Sequence, residues 1–465
     1  MKLFDLLAFT PLAILAMGAI ACLLVGAVRP GGYLYELAIA IVAGAMMWSL
    51  AMPADGALPG ITISAYARFC ALFLDMAGIV GLLLAAGYNK RRGIVGEEYP
   101  ATLLFALVGM GAACAATDLL VLFLGLEAFT FAFYILVAIE RGSGRGGEAG
   151  MKYLLNGTLS AAILAMGIAL VYCSRGTLLL TELAGQGGGG GHLYLAGLSL
   201  ILLGLAFKLS LVPAHLWTAD VYQGAPAPVT ALLSTASKGA SLAALLLLMP
   251  LVTGWPGSHA ILWWLALLSM LCGNLAALVQ SSIKRMLAWS SVAQMGYVGL
   301  ALTAASAGGL RAAAFYVVIY AAAGLATFGA VAVLSDQGER DKIDEYRGLG
   351  YANPLAGAAL AVGLFSLAGI PPAAGLMGKF AVFSAALRGG ETSLAVVGIL
   401  TALISVFYYL RVVVALYMRP AEGETVATHP LAISEIIALA VPTLVTLFLG
   451  VYPSPLLDLL ARLIS

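Results

Sequence analysis

Residues 207–238 read FKLSLVPAHLWTADVYQGAPAPVTALLSTASK, which places charged side chains and prolines inside an otherwise apolar run. Lys208 comes shortly before Pro213, and a pair of prolines, Pro226 and Pro228 in APAP, comes before Lys238. A proline removes a helix hydrogen bond, and an ammonium group near the bilayer midplane costs about 2.5 to 3.5 kcal/mol to insert. Broken backbone at membrane depth persists only where it is buried in protein or lines a wet cavity. The stretch therefore predicts the core of an ion path through a membrane.

The composition of the chain predicts an integral membrane protein. Of its 465 residues, 62% are hydrophobic and 10% are charged, whereas an ordinary soluble domain carries roughly 25% charge. The formal net charge of +1 provides no basic face for nucleic acid. The five cysteines lie singly in apolar runs without a C-x-x-C pair, which is typical of small core residues rather than of metal ligands or redox pairs.

Apolar runs long enough to cross a bilayer, about 20 residues each, recur about fourteen times along the chain. The first run could pass for a signal peptide, but it is long enough to span and Arg29 follows it, so we predict a retained helix. A short amphipathic tail follows the last span. The predicted spans cover residues 10–28, 34–52, 66–87, 101–116, 118–139, 150–173, 193–212, 228–249, 259–279, 286–304, 310–334, 354–387, 393–418 and 431–451.

Two of the predicted spans are interrupted, and each carries a lysine near the interruption. The seventh is broken at Pro213, after Lys208, and the twelfth at Pro371 and Pro372, before Lys379. Because five spans separate them, which is an odd offset, equivalent helices would run in opposite directions. Interrupted helices at corresponding places in two halves indicate an inverted-repeat transporter with sites near the midplane. The predicted fold class is therefore an all-α polytopic membrane protein.

The basic residues of the loops predict the orientation of the chain. Loops after odd-numbered spans carry most of the lysine and arginine, and the positive-inside rule places such loops in the cytoplasm. With an even number of spans, both termini then face outward, to the periplasm. The basic residues of the odd loops are Arg29, Lys90, Arg91, Arg92, Arg141, Arg145, Lys284, Arg285, Arg340, Lys342, Arg347 and Arg419.

Glu127 lies near the middle of the fifth predicted span, with no charged neighbour in its own helix. An unpaired carboxyl at that depth would be protonated, whereas an opposite charge within about 4 to 6 Å would keep it ionised. Lys208 is its natural partner. We predict a proton-binding pair, and the alternative is a purely structural ion pair.

Lys238, in the next span, is predicted to be out of direct reach of Lys208, because neighbouring helix axes lie about 8 to 10 Å apart. His215, just after Pro213, could relay between the two lysines, since an imidazole titrates near neutral pH. Alternatively, His215 could bind carbonyl groups freed at the break.

Lys379 is predicted to be the final proton donor toward the outer face, and the alternative is that it caps carbonyls freed by the proline pair. Lys152 follows Glu148 and could reach the cytoplasmic surface as an entry-side group. The remaining charges are predicted to be structural. Caps or loop charges are expected at Asp75, Asp118 and Asp220, a cytoplasmic anchor at Lys284 and Arg285, and a pair between Arg411 and Glu435 or with a partner subunit.

Four segments carry a resemblance to a known family: GLEAF around Glu127, the run AFKLSLVPAHLWTADVYQGAPAPVTALLSTASK, IKRMLAWSSVAQMGYVGL and GIPPAAGLMGKF. Over nearly its whole length the chain resembles the antiporter-like membrane subunits of respiratory complex I, and HLWTADVYQGAPAP resembles the N subunits, the counterparts of mitochondrial NADH dehydrogenase subunit 2. The resemblance implies fourteen helices with two inverted five-helix repeats, each containing a broken helix. We therefore expect an N-terminal segment at 1–99, repeats at 100–250 and 251–420, and a C-terminal segment at 421–465.

The resemblance also implies roles for individual residues. The proton-carrying residues of the family fall by motif on Glu127, Lys208, His215, Lys238, Lys379 and Lys152. Many antiporter-like relatives carry histidine where Gln294 stands in SSVAQMG, so no proton-carrying role is assigned to that position. No cofactor is expected in this chain, and NADH, FMN, iron–sulfur clusters and quinone are expected in partner subunits. The expected location is a bacterial inner membrane, among the other membrane-arm subunits.

The residues suggest a mechanism and two competing hypotheses. A proton would enter from the cytoplasm and load Lys208 while Glu127 holds it. A signal from a partner would separate the pair, and the proton would pass through His215 and Lys238 to Lys379. The main alternative is a subunit of a multisubunit Na⁺/H⁺ antiporter, which predicts transport that depends on Na⁺ or K⁺. A third hypothesis is a scaffold whose buried charges only hold helices together.

Overall fold

The computed structural model describes residues 7–52, 55–94, 96, 98–186, 191–255, 257–304, 307–335, 338–420 and 430–464. This part of the chain contains twenty α-helices, one 3-10 helix (Ile343–Tyr346) and one short hairpin. The first helices are α1 (Thr10–Val28), α2 (Tyr33–Ala51), α3 (Ala65–Arg92), α4 (Glu98–Cys114), α5 (Leu119–Val137), α6 (Gly144–Arg175), α7 (Leu180–Gly185), α8 (His192–Lys208), α9 (Thr218–Gly224) and α10 (Ala227–Ser234). They are followed by α11 (Ala236–Thr253), α12 (Ser258–Leu278), α13 (Ile283–Thr303), α14 (Ala307–Leu334), α15 (Leu349–Ala352), α16 (Pro354–Ala368), α17 (Gly375–Arg388), α18 (Thr392–Met418), α19 (Ile433–Val451) and α20 (Ser454–Leu463).

The predicted spans are confirmed in number and in approximate position. Ten helical spans in the described residues are long and apolar enough to cross a membrane, with α10 and α11 counted as one. Three shorter apolar helices, α4, α8 and α16, add three more. The helix α13 lies at the position of the tenth predicted span and is buried over nearly all of its length; it begins with two basic residues and carries two serines. The amphipathic tail is α20, held by a hydrogen bond from Arg311 Nε to the carbonyl of Ile464 at 2.9 Å.

Two helix pairs with the same close packing mark the two halves of the chain. Helices α4 and α5 approach at Gly109 and Gly125, where an added Cβ would lie 2.7 and 2.6 Å from backbone nitrogens of the other helix. Helices α12 and α13 approach at Gly273 and Gly296, with corresponding distances of 2.5 and 2.7 Å. Small residues allow such backbone contacts between membrane helices. The first two helices of each predicted repeat therefore share one packing arrangement.

Both predicted interruptions are present, and they differ in where the lysine lies. In the first, α8 ends at Lys208, and nine residues without regular helix precede α9. In the second, α16 ends at Ala368 and is followed by Gly369, whose φ of 87° is left-handed; α17 begins at Gly375 with Lys379 in its second turn. Lys208 thus precedes its break and Lys379 follows its own.

Two local features were not predicted. A two-stranded hairpin, β1 (Gly56–Leu58) and β2 (Ile61–Ile63), turns at Gly60 with a φ of 81° and lies between α2 and α3. The eighth span is bent at Thr235, where the backbone leaves helical geometry and the hydroxyl bonds the carbonyl of Ala231 at 2.6 Å. Threonine hydroxyls that bond back to the preceding turn often bend helices. The bend lies one turn before Lys238.

The helices share one continuous core. Buried apolar residues from Leu15 in α1 to Leu439 in α19 form a single cluster, and α14 is the most enclosed span. The last span, α19, packs against both α3 and α14. The four segments predicted from the sequence are therefore packed against one another, and their boundaries stay a prediction. Residues 1–6 and 421–429, which belong to the terminal segments, lie outside the described residues.

Candidate ion-translocation site

Glu127 and Lys208 form a buried ion pair at the first break. Lys208 Nζ donates a hydrogen bond to Glu127 Oε1 at 2.8 Å, and the two side chains are 2% and 10% exposed. Nζ also donates to Thr130 Oγ1, one turn after Glu127 on α5. The Phe129 ring centroid lies 5.7 Å from Nζ. The predicted partnership is present, and Thr130 is a further ligand of the ammonium that the sequence did not indicate.

The backbone around Lys208 favours a cation at this position. Lys208 is the last residue of α8, and the carbonyl end of a helix stabilises positive charge. After it, Ser210 adopts a left-handed φ of 59°. The N–H of Val212 then donates to Ser269 Oγ of α12 at 2.9 Å. A residue of the second half therefore holds the backbone of the first break.

Lys238 is fully buried and is bound to the same break. Its Nζ donates to the carbonyl of Leu209 at 3.3 Å, and the Tyr222 ring centroid is 6.0 Å away. No hydrogen bond joins it to Lys208 in the described structure, as the sequence predicted. The two lysines are nevertheless linked, because Leu209 follows Lys208 directly in the chain. No carboxylate contacts Lys238 within the described residues.

His215 lies in the first break among polar groups without partners. Its exposure is 9%, and its Nδ1 atom is buried with no hydrogen-bond partner among the described residues. Ser210 Oγ, Thr218 Oγ1 and Trp289 Nε1 share this condition. The Trp289 ring lies 5.2 Å from the imidazole. Three of these residues, Ser210, His215 and Thr218, follow Lys208 within ten residues, so the first break contains several buried polar groups besides the lysine.

Lys379 is bound to carbonyl groups instead of to an acid. Its Nζ donates to the carbonyls of Leu367 and Ala368 at 2.8 and 2.9 Å, both at the end of α16. The residue is 4% exposed, and no carboxylate contacts it within the described part of the chain. The Tyr297 ring centroid is 5.5 Å from Nζ. This contact is the one that the capping alternative predicts, and it leaves Lys379 as a buried cation without an acidic partner among the described residues.

Gln294 connects Lys379 to a polar network that the sequence analysis missed. Gln294 Nε2 donates to the Leu367 carbonyl at 3.1 Å, the same oxygen that accepts from Lys379, and to the Tyr409 hydroxyl at 3.0 Å. The Tyr316 hydroxyl donates to Gln294 Oε1, and Tyr409 bonds Ser290. The serines and the glutamine of SSVAQMG are spaced so that they lie on one side of a span, and this spacing could have indicated the network.

Lys152 lies at the surface end of the site. Its Nζ is 2.7 Å from both Glu148 Oε1 and Asp220 Oδ2, and Asp220 also accepts from Arg285 at 2.6 Å. Burial raises the pKa of Asp220, but its hydrogen bonds with Lys152 and Arg285 outweigh burial and hold that pKa below its ordinary value. Asp220, predicted to be a cap or loop charge, therefore ties α6 to α9 and α13. A cavity of about 220 Å³ lies beside this cluster.

The structure confirms one structural prediction and corrects three. Asp118 caps α5 by accepting from the N–H of Val121 at 2.7 Å, as predicted. Asp75 lies inside α3 and is 3% exposed, so it is neither a cap nor a loop charge. The other two corrections concern basic residues and are described next.

Lys284 and Arg411 do not have the predicted surroundings. Lys284 is 2% exposed and pairs with Glu339, so it is not a surface anchor; it also bonds the Ala225 carbonyl at 2.6 Å, because the bend before α10 brings that carbonyl inward. Arg411 donates hydrogen bonds to the backbone carbonyls of Leu278 and Gln280, at the end of α12. Its predicted partner Glu435 instead pairs with Arg91 of α3. The described residues contain no cluster of three or more His, Cys, Asp or Glu suited to a metal ion.

Comparisons with known proteins agree on one family. Residues 116–405 match the family described as "NADH:quinone oxidoreductase/Mrp antiporter, TM". The chain is similar to NADH-quinone oxidoreductase subunit N of Geotalea uraniireducens, with 51% identity over 99% of each chain. It is also similar to a chain of respiratory complex I from Thermus thermophilus, with a TM-score of 0.84 and 34% identity over 97% of this chain and 99% of the other.

A third comparison concerns the fold alone. A chain of the Mrp complex from Dietzia sp. has a TM-score of 0.86 at 21% identity, covering 100% of this chain and 97% of that one. The same helical architecture therefore occurs in both kinds of complex.

Proposed function

The chain belongs to the subunit N family of NADH-quinone oxidoreductases, and we propose that Glu127, Lys208, Lys238 and Lys379, here called the buried row, carry protons across the membrane. The observation that carries this proposal is the Glu127–Lys208 pair, 2.8 Å apart at a helix break in a membrane span. Ionisable residues inside a membrane are costly and mark ion pathways or proton relays. As a membrane subunit of an oxidoreductase, the chain draws its driving force from redox chemistry in partner subunits.

The Glu127–Lys208 contact is the switch of the proposed mechanism. While the carboxylate and the hydroxyl of Thr130 contact Nζ, the charged lysine is stabilised in a low-dielectric surrounding. If α5 and α8 move apart, the ammonium loses its compensating charge, and removing one partner of a buried pair costs about 3 to 5 kcal/mol. Moving one charge against 100 mV requires about 2.3 kcal/mol. The free-energy change on separating this one pair therefore exceeds the free energy needed to move one proton against 100 mV.

The next steps use groups bound to the two breaks. Lys238 shares the first break through Leu209, and His215, seven residues after Lys208 in the same break, provides an unpartnered Nδ1. Ser291 and Tyr320, joined by a 2.7 Å hydrogen bond between α13 and α14, lead into the second half. Lys379 completes the row. We propose that the proton passes from Lys208 through His215 and Lys238 to Lys379.

Entry and orientation follow from the surface cluster. Lys152, Asp220 and Arg285 lie at the end of the molecule that carries most of the loop lysines and arginines, which the positive-inside rule assigns to the cytoplasm. We propose that protons enter there, with Lys152 as the entry-side group, and that both termini face the periplasm. The protein acts as a translocase without a redox centre of its own, and partner subunits bind NADH, FMN, iron–sulfur clusters and quinone.

The proposal is tested by Lys208→Ala in membrane vesicles, with NADH-driven proton uptake and quinone reduction as readouts and a native gel to check assembly. We expect proton uptake to fall more than tenfold in an assembled complex, because the loss of a few kcal/mol corresponds to more than a factor of ten. Lys90→Ala, at the exposed end of α3, is the matched control and should leave uptake unchanged.

Three other outcomes would contradict the proposal. Normal uptake by the Lys208 variant would leave the lysine as packing, and failure of assembly would favour a scaffold. Uptake that requires Na⁺ or K⁺ and not NADH and quinone would favour a cation/proton antiporter.

A further inference from the structure

The N-terminal helices contain a buried carboxyl that the buried row does not use. Asp75 lies in α3 and is 3% exposed. Within the described residues, its carboxyl has no salt bridge and accepts no hydrogen bond. A buried ionised group without a partner is strongly unfavourable, so such a carboxyl is stable when it binds a proton or when polar solvent reaches it. Asp75 therefore needs either a proton or a route to water.

A narrow pocket supplies the route. It is lined by Leu15 of α1, Ser49 of α2, Ile63 of β2, Ala71 of α3 and Asp75 itself. Its volume is about 30 Å³, and a single water needs about 10–15 Å³ of such space. Asp75 is ten residues beyond the start of α3 at Ala65, or roughly 15 Å at about 1.5 Å per residue. The lining of the pocket thus runs along α3 from the hairpin end of the bundle to Asp75, a length of about half of a hydrocarbon core about 30 Å thick.

The pocket is separate from the Glu127–Lys208 pair. Leu107 and Gly111 of α4 line the pocket, whereas Gly109 of the same helix packs against α5, which carries Glu127. Residues two apart on a helix with 3.6 residues per turn point to nearly opposite sides. Helix α4 therefore lies between Asp75 and the Glu127–Lys208 pair.

The groups around Asp75 select a proton as the ligand. Arg68 is the one other charged residue that lines the pocket, and it is paired with Asp55 near the mouth. The lining residues from α1, α2, the hairpin and α4 include no titratable side chain. A metal cation such as Ca²⁺ or Mg²⁺ requires about six oxygen ligands, and the side chains here offer the Asp75 carboxyl and the Ser49 hydroxyl.

We propose that Asp75 is a proton-binding site, distinct from the buried row, that exchanges its proton through this pocket with the solution at the hairpin end of the molecule. In the orientation proposed above, that end is the periplasmic one. A proton that reaches this depth from one side crosses part of the membrane potential. Occupancy of Asp75 therefore depends on both the outer pH and the potential.

Infrared difference spectra of the assembled complex, taken between acidic and neutral pH, test the site. We expect Asp75→Asn to abolish one carbonyl band of a protonated carboxylic acid, and Asp75→Glu to retain that band at a shifted frequency. Glu127→Gln should leave the same band in place, which separates this site from the proposed translocation path. Spectra of Asp75→Asn that match the native complex would overturn the proposal.

A second variant tests the route and keeps Asp75 intact. Ala71→Leu fills the pocket one helical turn from the carboxyl, and it should slow hydrogen–deuterium exchange of the Asp75 band at least tenfold. Met76→Leu, on the exposed side of α3, is the matched control and should leave the exchange rate unchanged. If the Ala71 variant exchanges every carboxyl band at the native rate, the pocket is not the route. Neither measurement depends on whether the complex pumps protons.

Discussion

The two helix breaks each contain a buried lysine, and they stabilise its charge in different ways. At the first, Lys208 is neutralised by Glu127, which is supplied by another helix. At the second, Lys379 is held by two carbonyls from the end of α16, the first half of its own interrupted span. A full charge on a separate helix can be withdrawn by a small movement, whereas carbonyl dipoles on the same span move with their lysine. In the proposed mechanism, we therefore expect the conformational signal to act at the first break and the proton to be passed on at the second.

Glu127→Gln should have the largest effect, because it removes the charge that distinguishes the two breaks. The variant leaves the Lys208 ammonium without its carboxylate partner in an apolar surrounding, which costs about 3 to 5 kcal/mol. We expect NADH-driven proton uptake to fall more than tenfold in the assembled complex. Glu36→Gln, at the exposed start of α2, is the control and should change uptake less than twofold. Native-like uptake by Glu127→Gln would show that the two breaks do not differ in this respect.

Lys379→Met should lower proton uptake about tenfold but destabilise the complex less than Lys208→Met does. Hydrogen bonds that involve a charged group contribute about 1.5 to 3 kcal/mol each, and no carboxylate is left unpaired when Lys379 is removed. Thermal unfolding of the two purified variant complexes measures the difference. Equal losses of thermal stability would mean that Lys379 has a charged partner and that the comparison fails.

Gln294→Glu would make the second break resemble the first. Gln294 and Lys379 bind the same carbonyl oxygen of Leu367, so a carboxylate at position 294 would lie close to Nζ. A nearby anion stabilises the charged lysine, and we expect quinone-coupled turnover to fall about threefold as proton release slows. Gln294→Met, which removes the hydrogen bonds without adding charge, is the control. An equal effect of both variants would assign the change to lost hydrogen bonds and not to charge.

Asp220→Asn should have the smallest effect, because this cluster is at the surface. The lowered pKa of Asp220 means that its ion pairs add stability at pH values above the ordinary aspartate pKa, and that this contribution is lost as the pH falls through the lower folded value. We expect the unfolding temperature of the variant to depend less steeply on pH in the acidic range. The difference from the native complex should shrink at high salt, since exposed pairs are screened. A difference that persists in high salt would argue for a buried role.

The sequence predicted the features that depend on single segments. Runs of apolar residues located the fourteen spans, and Pro213 and the Pro371–Pro372 pair located both breaks. The Glu127–Lys208 contact was predictable because few other charges lie in the spans. Features that depend on packing between distant segments were missed, among them the Gln294 network and the buried Lys284–Glu339 pair. A basic residue next to a span looks like a surface anchor until the helices around it are known.

The hydrogen bonds of the breaks impose an order on the insertion of the chain into the membrane. The N–H of Val212 is satisfied by Ser269, which is 57 residues later in the chain. At a synthesis rate of about 5–20 residues per second, several seconds pass after Val212 is made before Ser269 of α12 is available to accept this hydrogen bond. The second break also depends on a later segment, since the N–H of Ala374 donates to the carbonyl of Thr446 in the last span at 3.0 Å. In each break, a backbone N–H therefore gains its acceptor only when a later helix is in place. A nascent chain that stops before α19 would leave the N–H of Ala374 without this acceptor.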